Sequence, residues 1–253
     1  SSKGSLVDQM IKMIDEYSAN LETIVAKRTT EIAELNDKNE ALLYQMLPRS
    51  IAMDLREGRA VRPSMHSSVS LLFIDICQFT VICEQSIPAD IITMLNALYS
   101  RFDEIVQKHN AWKVENVGDA YLVVSGIPDC EDNECDHLLH VCLMALQIQK
   151  FVEEDFRVDH RPDFHLQVKA GIHSGALASG ILGSSAPRFC VFGDTVNMAS
   201  RMASTSLAGR TQMTETAQAL LIRHYPLRFT IEERGIVDIK GKGPSTTFWL
   251  IQQ

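Results

Sequence analysis

The stretch SVSLLFID is a continuous apolar run closed by an acid, the pattern of a buried strand. After it, PADIITMLNALYSRFDEIVQKHN spaces its apolar residues at helical intervals, AWKVENVGDAYLVVSG reads as a hairpin, and CDHLLHVCLMALQIQKFVEEDF is a second amphipathic helix. FHLQVKAGIHSG returns to strand character. The order βαββαβ predicts an α+β fold, an α/β sandwich with a ferredoxin-like core and its helices on one face of the sheet. Beyond this core the pattern predicts strands at ALASGIL and RFCVFG, a helix from about Asp194 to Met202, a helix at ETAQALLIRHY, and closing strands at LRFTIEERGIVDIKG and TTFWLI.

The first part of the chain follows a different rhythm. Residues 6 to about 46 contain neither Pro nor Gly, and Met10, Ile14, Tyr17, Leu21 and Ile24 alternate in steps of four and three. That is a heptad seam, which calls for a second helix. The next steps reach Arg28 and then Ile32, two successive fours, before Leu35, Asn39, Leu42 and Met46 resume the alternation. Such a stutter locally unwinds a coiled coil, and Arg28 and Asn39 on the seam weaken pairing while helping to fix register. A single amphipathic helix lying on its own globular domain is the other reading; the narrow stripe and the polar surroundings in KRTTEIAELNDKNE favour a two-stranded coil. Pro48 ends the rod, and MLPRSIAMDLREG reads as a short helix stopped by Gly58.

Composition narrows the function classes. Of 253 residues, 45% are apolar and 22% charged, which suits a folded domain with a sizeable core. The formal net charge of -8 disfavours a nucleic-acid surface, although a pocket for a polyphosphate sets its own local field. No apolar run approaches the length that crosses a bilayer and no signal peptide is visible, so a soluble piece is expected, one that could belong to a larger membrane protein. The six cysteines, Cys77, Cys83, Cys130, Cys135, Cys142 and Cys190, are scattered and read as free thiols of a reducing compartment. Cys130, Cys135, His137 and His140 lie close in sequence, but their spacing matches no common zinc pattern, and a polar loop leading into a helix explains them as well.

Candidate chemistry starts from two acids. Asp75 ends the run LLFID, and Asp119 follows Gly118 in the turn of the hairpin. In a ferredoxin-like sheet the first strand neighbours the hairpin, so the two acids can share a hard cation; each alone could equally cap a turn. Asn197 and Arg201 stand four apart and share a helix face, and a guanidinium suits charge developing on a phosphoryl group.

Taken together, FIDICQFT, KVENVGDAY, GIHSG, RFCVFGDTVNMASRM and DIKGKG resemble the motifs of the class III nucleotide cyclases, in order and spacing, over roughly residues 65 to 250. The leading helix with ALLYQMLPRSIA resembles the dimerising signalling helix of receptor-type, membrane guanylyl cyclases. The resemblance implies a signalling and dimerisation coil over 6–47, a linker helix over 48–64 and a guanylyl cyclase catalytic domain over 65–253. It implies that Asp75, Asp119 and the backbone carbonyl of Ile76 bind two Mg2+ or Mn2+ ions per active site. It assigns Asn197 to the ribose, Arg201 to the α-phosphate, Lys240 to the β- and γ-phosphates, and the turn from Cys77 through Phe79 and Thr80 to the terminal phosphates. Glu115 and Cys190 fall where the family reads the base. A carboxylate accepts from the N1–H and N2 amino group of guanine, and adenine offers neither donor.

In this family the sites lie at a two-fold interface, with metal acids from one chain and base, ribose and phosphate contacts mainly from the other. This chain carries both half-sets, so a homodimer with two sites making cyclic GMP from GTP is implied, placed as the cytoplasmic domain of a membrane-anchored receptor and controlled by an upstream domain through the coil. Gln78 departs from the family, which has glycine in the phosphate turn. His173 in GIHSG reads as a structural histidine. The alternatives are an adenylyl or relaxed-specificity cyclase, a weakly active dimerisation and signalling module, and another nucleotide-binding or phosphodiesterase-like domain; no P-loop or histidine-rich metal cluster supports the last.

Overall fold

The computed structural model describes residues 2–127, 136–183 and 187–251, with the side chains of 2–6 and 115–117 left aside. The chain divides into two compact units, residues 1–52 and 53–253. The first unit is dominated by α1 (Ser2–Met46), which runs unbroken until Pro48 removes a donor and turns the chain into α2 (Arg49–Arg56). Met10, Ile14, Tyr17, Leu21, Ile24, Ile32, Leu35, Leu42 and Met46 are all exposed on α1. Arg28, at the stutter, pairs with Glu31 one turn on at 3.1 Å. No described helix is long and apolar enough to cross a membrane.

The second unit is built on one mixed sheet. Its strands are β1 (Ser64–Ile76), β2 (Trp112–Val117), β3 (Ala120–Ser125), β4 (Val168–Leu182), β5 (Arg188–Phe192), β6 (Thr211–Thr214), β7 (Thr230–Ile239) and β8 (Gly243–Ile251). The helices are α3 (Phe79–Glu84), α4 (Pro88–Gln107), α5 (Asp136–Lys150), α6 (Asp194–Thr205) and α7 (Glu215–His224). The strand order is β2-β3-β1-β4-β6-β8-β7, with β5 paired to the far half of β4. The first four strands, crossed over by α4 and α5, have the ferredoxin-like order expected from the sequence. Only β4 and β6 run parallel among the described pairs.

Alternation along β1 and β4 divides the two faces. Leu72, Ile74 and Ile76 of β1, with Val168, Ala170 and Ile172 of β4, enter the main core. There they meet Met94, Leu98, Phe102 and Ile105 of α4, and Leu138, Val141, Ala145 and Ile148 of α5, the helical stripes that the spacing predicted. Phe102 is fully buried and meets Tyr121 edge-on at 5.3 Å. The opposite face of β4 carries α6, and here Gly171 matters. A Cβ at Gly171 would lie 2.0 Å from the backbone nitrogen of Ala203 and 2.6 Å from the carbonyl of Ala199. Helix and strand therefore touch backbone to backbone, and Ala199, Met202 and Ala203 complete the seam.

Four details depart from the sequence reading. The segments read as two strands around Gly175 form one, β4, because Gly175 simply makes room for Thr195, whose hydroxyl donates to the Ala176 carbonyl at 2.5 Å. The helix expected to run on to Phe156 widens into a π-turn over Phe151–Asp155, closed by the bond from Phe156 N to Phe151 O at 3.0 Å. The extra residue keeps both Val152 and Phe156 in the core. The short α3 and β6 were not expected. β6 gives no apolar alternation because its Gln212 is fully buried, bonded to Arg234 and, at 3.3 Å, to Thr205.

Candidate active site

Sheet register brings the two acids together. Asp75 is paired with Ala120 across β1 and β3, so Asp119, second residue of the two-residue turn joining β2 to β3, stands beside it. The Asp119 carbonyl accepts from Ile76 N at 3.3 Å. Both side chains are half-buried. Burial first, and then the Asp119 charge, push the Asp75 carboxyl above its usual value, while Lys169 pulls it back. A site that resists two bare negative charges but offers hard oxygens fits a divalent cation. Among the described residues no third His, Cys, Asp or Glu joins the pair. Further ligands would therefore be backbone, solvent or phosphate oxygens.

Two residues that the sequence reading passed over support this corner. Lys169 of β4 faces Asp75 in register and donates from Nζ to the Ser204 carbonyl at 3.2 Å, tying the acid end of the sheet to the C-terminal end of α6. Tyr99 of α4 donates its hydroxyl to the Gly118 carbonyl at 3.2 Å and holds the hairpin turn. Burial, then Asp119 and Asp75, raise the Tyr99 phenol, so it stays a donor. Neither position breaks a local pattern: Tyr99 continues the helical stripe and Lys169 the strand alternation, so the sequence carried no separate signal.

The hairpin is braced from behind. Asp103 of α4 accepts from the Tyr121 hydroxyl and from Lys113 Nζ at 2.9 Å, and Lys113 lies 5.1 Å from the Tyr121 ring centre. A bulge between Lys113 and Glu115 shifts the register of β2 just before Glu115. The side chain of Glu115 lies outside the described residues. Cys190 sits opposite Gly180 on β5, half-buried, and β2 and β5, the strands that carry Glu115 and Cys190, come into contact.

Along α6 the buried positions Thr195, Ala199, Met202 and Ala203 face the sheet. Asn197 and Arg201, together with Asp194, fall on the outward side, Asn197 exposed and Arg201 half-buried. Asn197 is seven residues before Ser204, so it stands about 10 Å along the helix axis from the end that Lys169 reaches. Lys240 is exposed in the turn between β7 and β8. The segment after β1 passes through Gln78, the one non-glycine with positive φ among the described residues, at φ 56 and ψ 30. Phe79 packs partly against the core, whereas Thr80 is exposed.

Other groups that the sequence singled out have structural employment. His173 shares a 2.8 Å bond between Nδ1 and Thr214 Oγ1; burial lowers its pKa, with Asp194 opposing and Lys242 adding to the shift. His137 is buried against Ser70, its Nδ1 2.8 Å from that hydroxyl. Cys130 and Cys135 lie outside the described residues. Cys77, Cys83 and Cys142 are free thiols.

A ferredoxin-like sheet with paired acids at the end of its first strand and an Asn/Arg-bearing helix across its back is the architecture of a nucleotide cyclase domain. The family model for the adenylate and guanylate cyclase catalytic domain matches residues 61–252, and the chain belongs to that family. It is 44% identical over 249 residues to receptor-type guanylate cyclase gcy-23 of Caenorhabditis elegans, covering 98% of this chain and 23% of that protein. It is 40% identical to retinal guanylyl cyclase 2 of Bos taurus, covering 98% of this chain and 22% of that protein. The chain thus spans less than a quarter of the length of these curated relatives. Among solved structures it is similar to the guanylate cyclase domain of RhGC from Catenaria anguillulae in complex with GTP, with TM-score 0.68, 32% identity, and coverage of 75% of this chain and 99% of that one.

Proposed function

We propose that this chain is a guanylate cyclase domain that converts GTP into 3′,5′-cyclic GMP and pyrophosphate, working as a homodimer with two shared sites. The observation that carries it is the meeting of Asp75 and Asp119 at paired strand ends in a chain of this family. Asp75, Asp119 and the Ile76 carbonyl hold the divalent cations, Mg2+ or Mn2+. Bound there, the cations supply acidity to the ribose 3′-hydroxyl and charge neutralisation to the leaving pyrophosphate.

The amides of Phe79 and Thr80, in the turn just after the metal ligands, hold the terminal phosphates from the same copy. The remaining roles fall to the partner copy's equivalent residues: Asn197 orients the ribose so that its 3′-oxygen is in line with the α-phosphorus, Arg201 neutralises charge as the α-phosphate becomes five-coordinate, and Lys240 contacts the β- and γ-phosphates. Glu115 and Cys190 read guanine, on strands that meet. That the metal acids come from one copy and the α6 face from the other is what the family resemblance implies. The exposed apolar row of α1 and the exposed Phe192 and Leu182 on the β4–β5 arm are surfaces for that copy. The coil over 6–47 and the linker over 48–64 carry the signal from an upstream domain of a membrane-anchored receptor.

The test is cyclic nucleotide formation with Mn2+, GTP and ATP compared, across a range of protein concentrations. GTP turnover whose specific rate rises with concentration is expected. Equal or greater turnover of ATP would favour the relaxed-specificity alternative, and no product from either would remove the enzymatic reading.

A further inference from the structure

The β7–β8 ribbon grips α6 at both ends, and the two grips differ in kind. At the C-terminal end Arg234 donates from Nη1 to the Thr205 carbonyl at 2.6 Å and to Gln212 Oε1, with its guanidinium 4.7 Å from the Trp249 ring centre. That grip is half-buried and built from several partners. At the N-terminal end there is one ion pair: Lys242 Nζ donates to Asp194 Oδ2 at 2.7 Å, with the two side chains 45% and 61% exposed.

The position of this pair gives it a consequence. Lys242 is the last residue of the turn Ile239–Lys242, closed by the bond from Lys242 N to Ile239 O at 2.8 Å. Gly241 occupies the third place with φ 80, which a side chain tolerates poorly and glycine adopts freely. Lys240 is the second residue of the same turn. At the other end of the bond, Asp194 lies three and seven residues before Asn197 and Arg201, on their side of α6. The ion pair therefore ties the turn bearing Lys240 to the helix face bearing Asn197 and Arg201.

We infer that the Lys242–Asp194 pair is a positioning latch that sets Lys240 over the α6 face for the terminal phosphates of the nucleotide. This rests on the reading of that face as a triphosphate site. An exposed pair of this kind contributes little to fold stability. Its effect is on where a flexible four-carbon ammonium begins, and on charge: without Lys242, the Asp194 carboxylate stands bare beside a polyanion. Both effects act on nucleotide binding rather than on the fold.

The experiment is a steady-state comparison of Asp194→Asn and Lys242→Met, alone, together, and each in a Lys240→Met background, with thermal midpoints recorded. Either single change should raise KM for GTP about fivefold, as loss of a weak pair does, leave kcat within about twofold, and leave the midpoint unchanged. The double change should cost no more than the worse single one, and Asp194→Asn should add nothing to Lys240→Met. Parental KM values in the single variants, full additivity of Asp194→Asn with Lys240→Met, or losses that track a lowered midpoint would overturn the latch. An inactive parent chain would instead overturn the triphosphate reading beneath it.

Discussion

Asp75 and Asp119 are half-buried and owe their meeting to strand register, whereas Asn197 is exposed and owes its place to the period of a single helix. The acid corner is strained electrostatically: burial and the neighbouring charge raise the Asp75 carboxyl, and Tyr99 and Lys169 are arranged around it. On the α6 face Asn197 is exposed and Asp194 pairs with Lys242. On the proposed reading the two regions are completed differently: the acids by a divalent cation and the α6 face by a second copy of the chain.

The comparison breaks most sharply if the two halves turn out to belong to one site in one chain. Asp75→Ala and Arg201→Ala are each expected to reduce cyclic GMP formation at least about a hundredfold. Mixing the two inactive variants should restore about a quarter of the parent rate, because random pairing leaves one intact shared site in half of the dimers. No recovery on mixing would place both half-sets within one protomer.

Stability distinguishes the halves next. Gly171→Ala forces a Cβ against the α6 backbone at 2.0 Å, and a loss of about 3 kcal/mol in urea unfolding is expected, since only displacement of α6 relieves the clash. Parental stability would show that α6 is free to ride up on β4. A smaller effect is expected from Glu115→Lys with Cys190→Asp: a shift of the GTP/ATP preference by roughly tenfold or more toward ATP, as expected when donors and acceptors in a base pocket are exchanged. An unchanged ratio of kcat/KM values would take base reading away from this pair.

The smallest effect concerns the turn between the halves. Gln78 holds a left-handed conformation that costs a side chain about 1 kcal/mol. Gln78→Gly should therefore raise stability by roughly that amount or less, offset in part by the freer unfolded chain. It should also lower KM for GTP if the amide side chain crowds the phosphates. A thermal midpoint below that of the parent would mean that the glutamine makes contacts that compensate its strain.

Much of this was legible along the chain. The stripes of α4 and α5 and the continuous apolar run of β1 pointed to the ferredoxin-like order, since the spacing of apolar residues reports which sides of an element face a core. The four-residue spacing of Asn197 and Arg201 placed them on one side of a helix. The exposed seam of α1 was legible for the same reason. Gln78 was noticed as a departure from a motif, and its positive φ gives that departure a physical meaning.

Other features depended on contacts between residues far apart in sequence, and no local pattern encodes them. Lys169 and Tyr99 became neighbours of the acids only through register and crossover, and Arg234 and Lys242 became partners of α6 only when the last hairpin folded over it. Short β6 was hidden because its buried glutamine is satisfied by an arginine more than twenty residues away. The sequence by itself determined the elements, their buried sides and the residues available for chemistry, because those follow from period and side-chain type. Tertiary structure alone decided that Lys169 and Tyr99 join the two acids and how closely α6 approaches β4, because those depend on packing distances that a one-dimensional pattern does not contain.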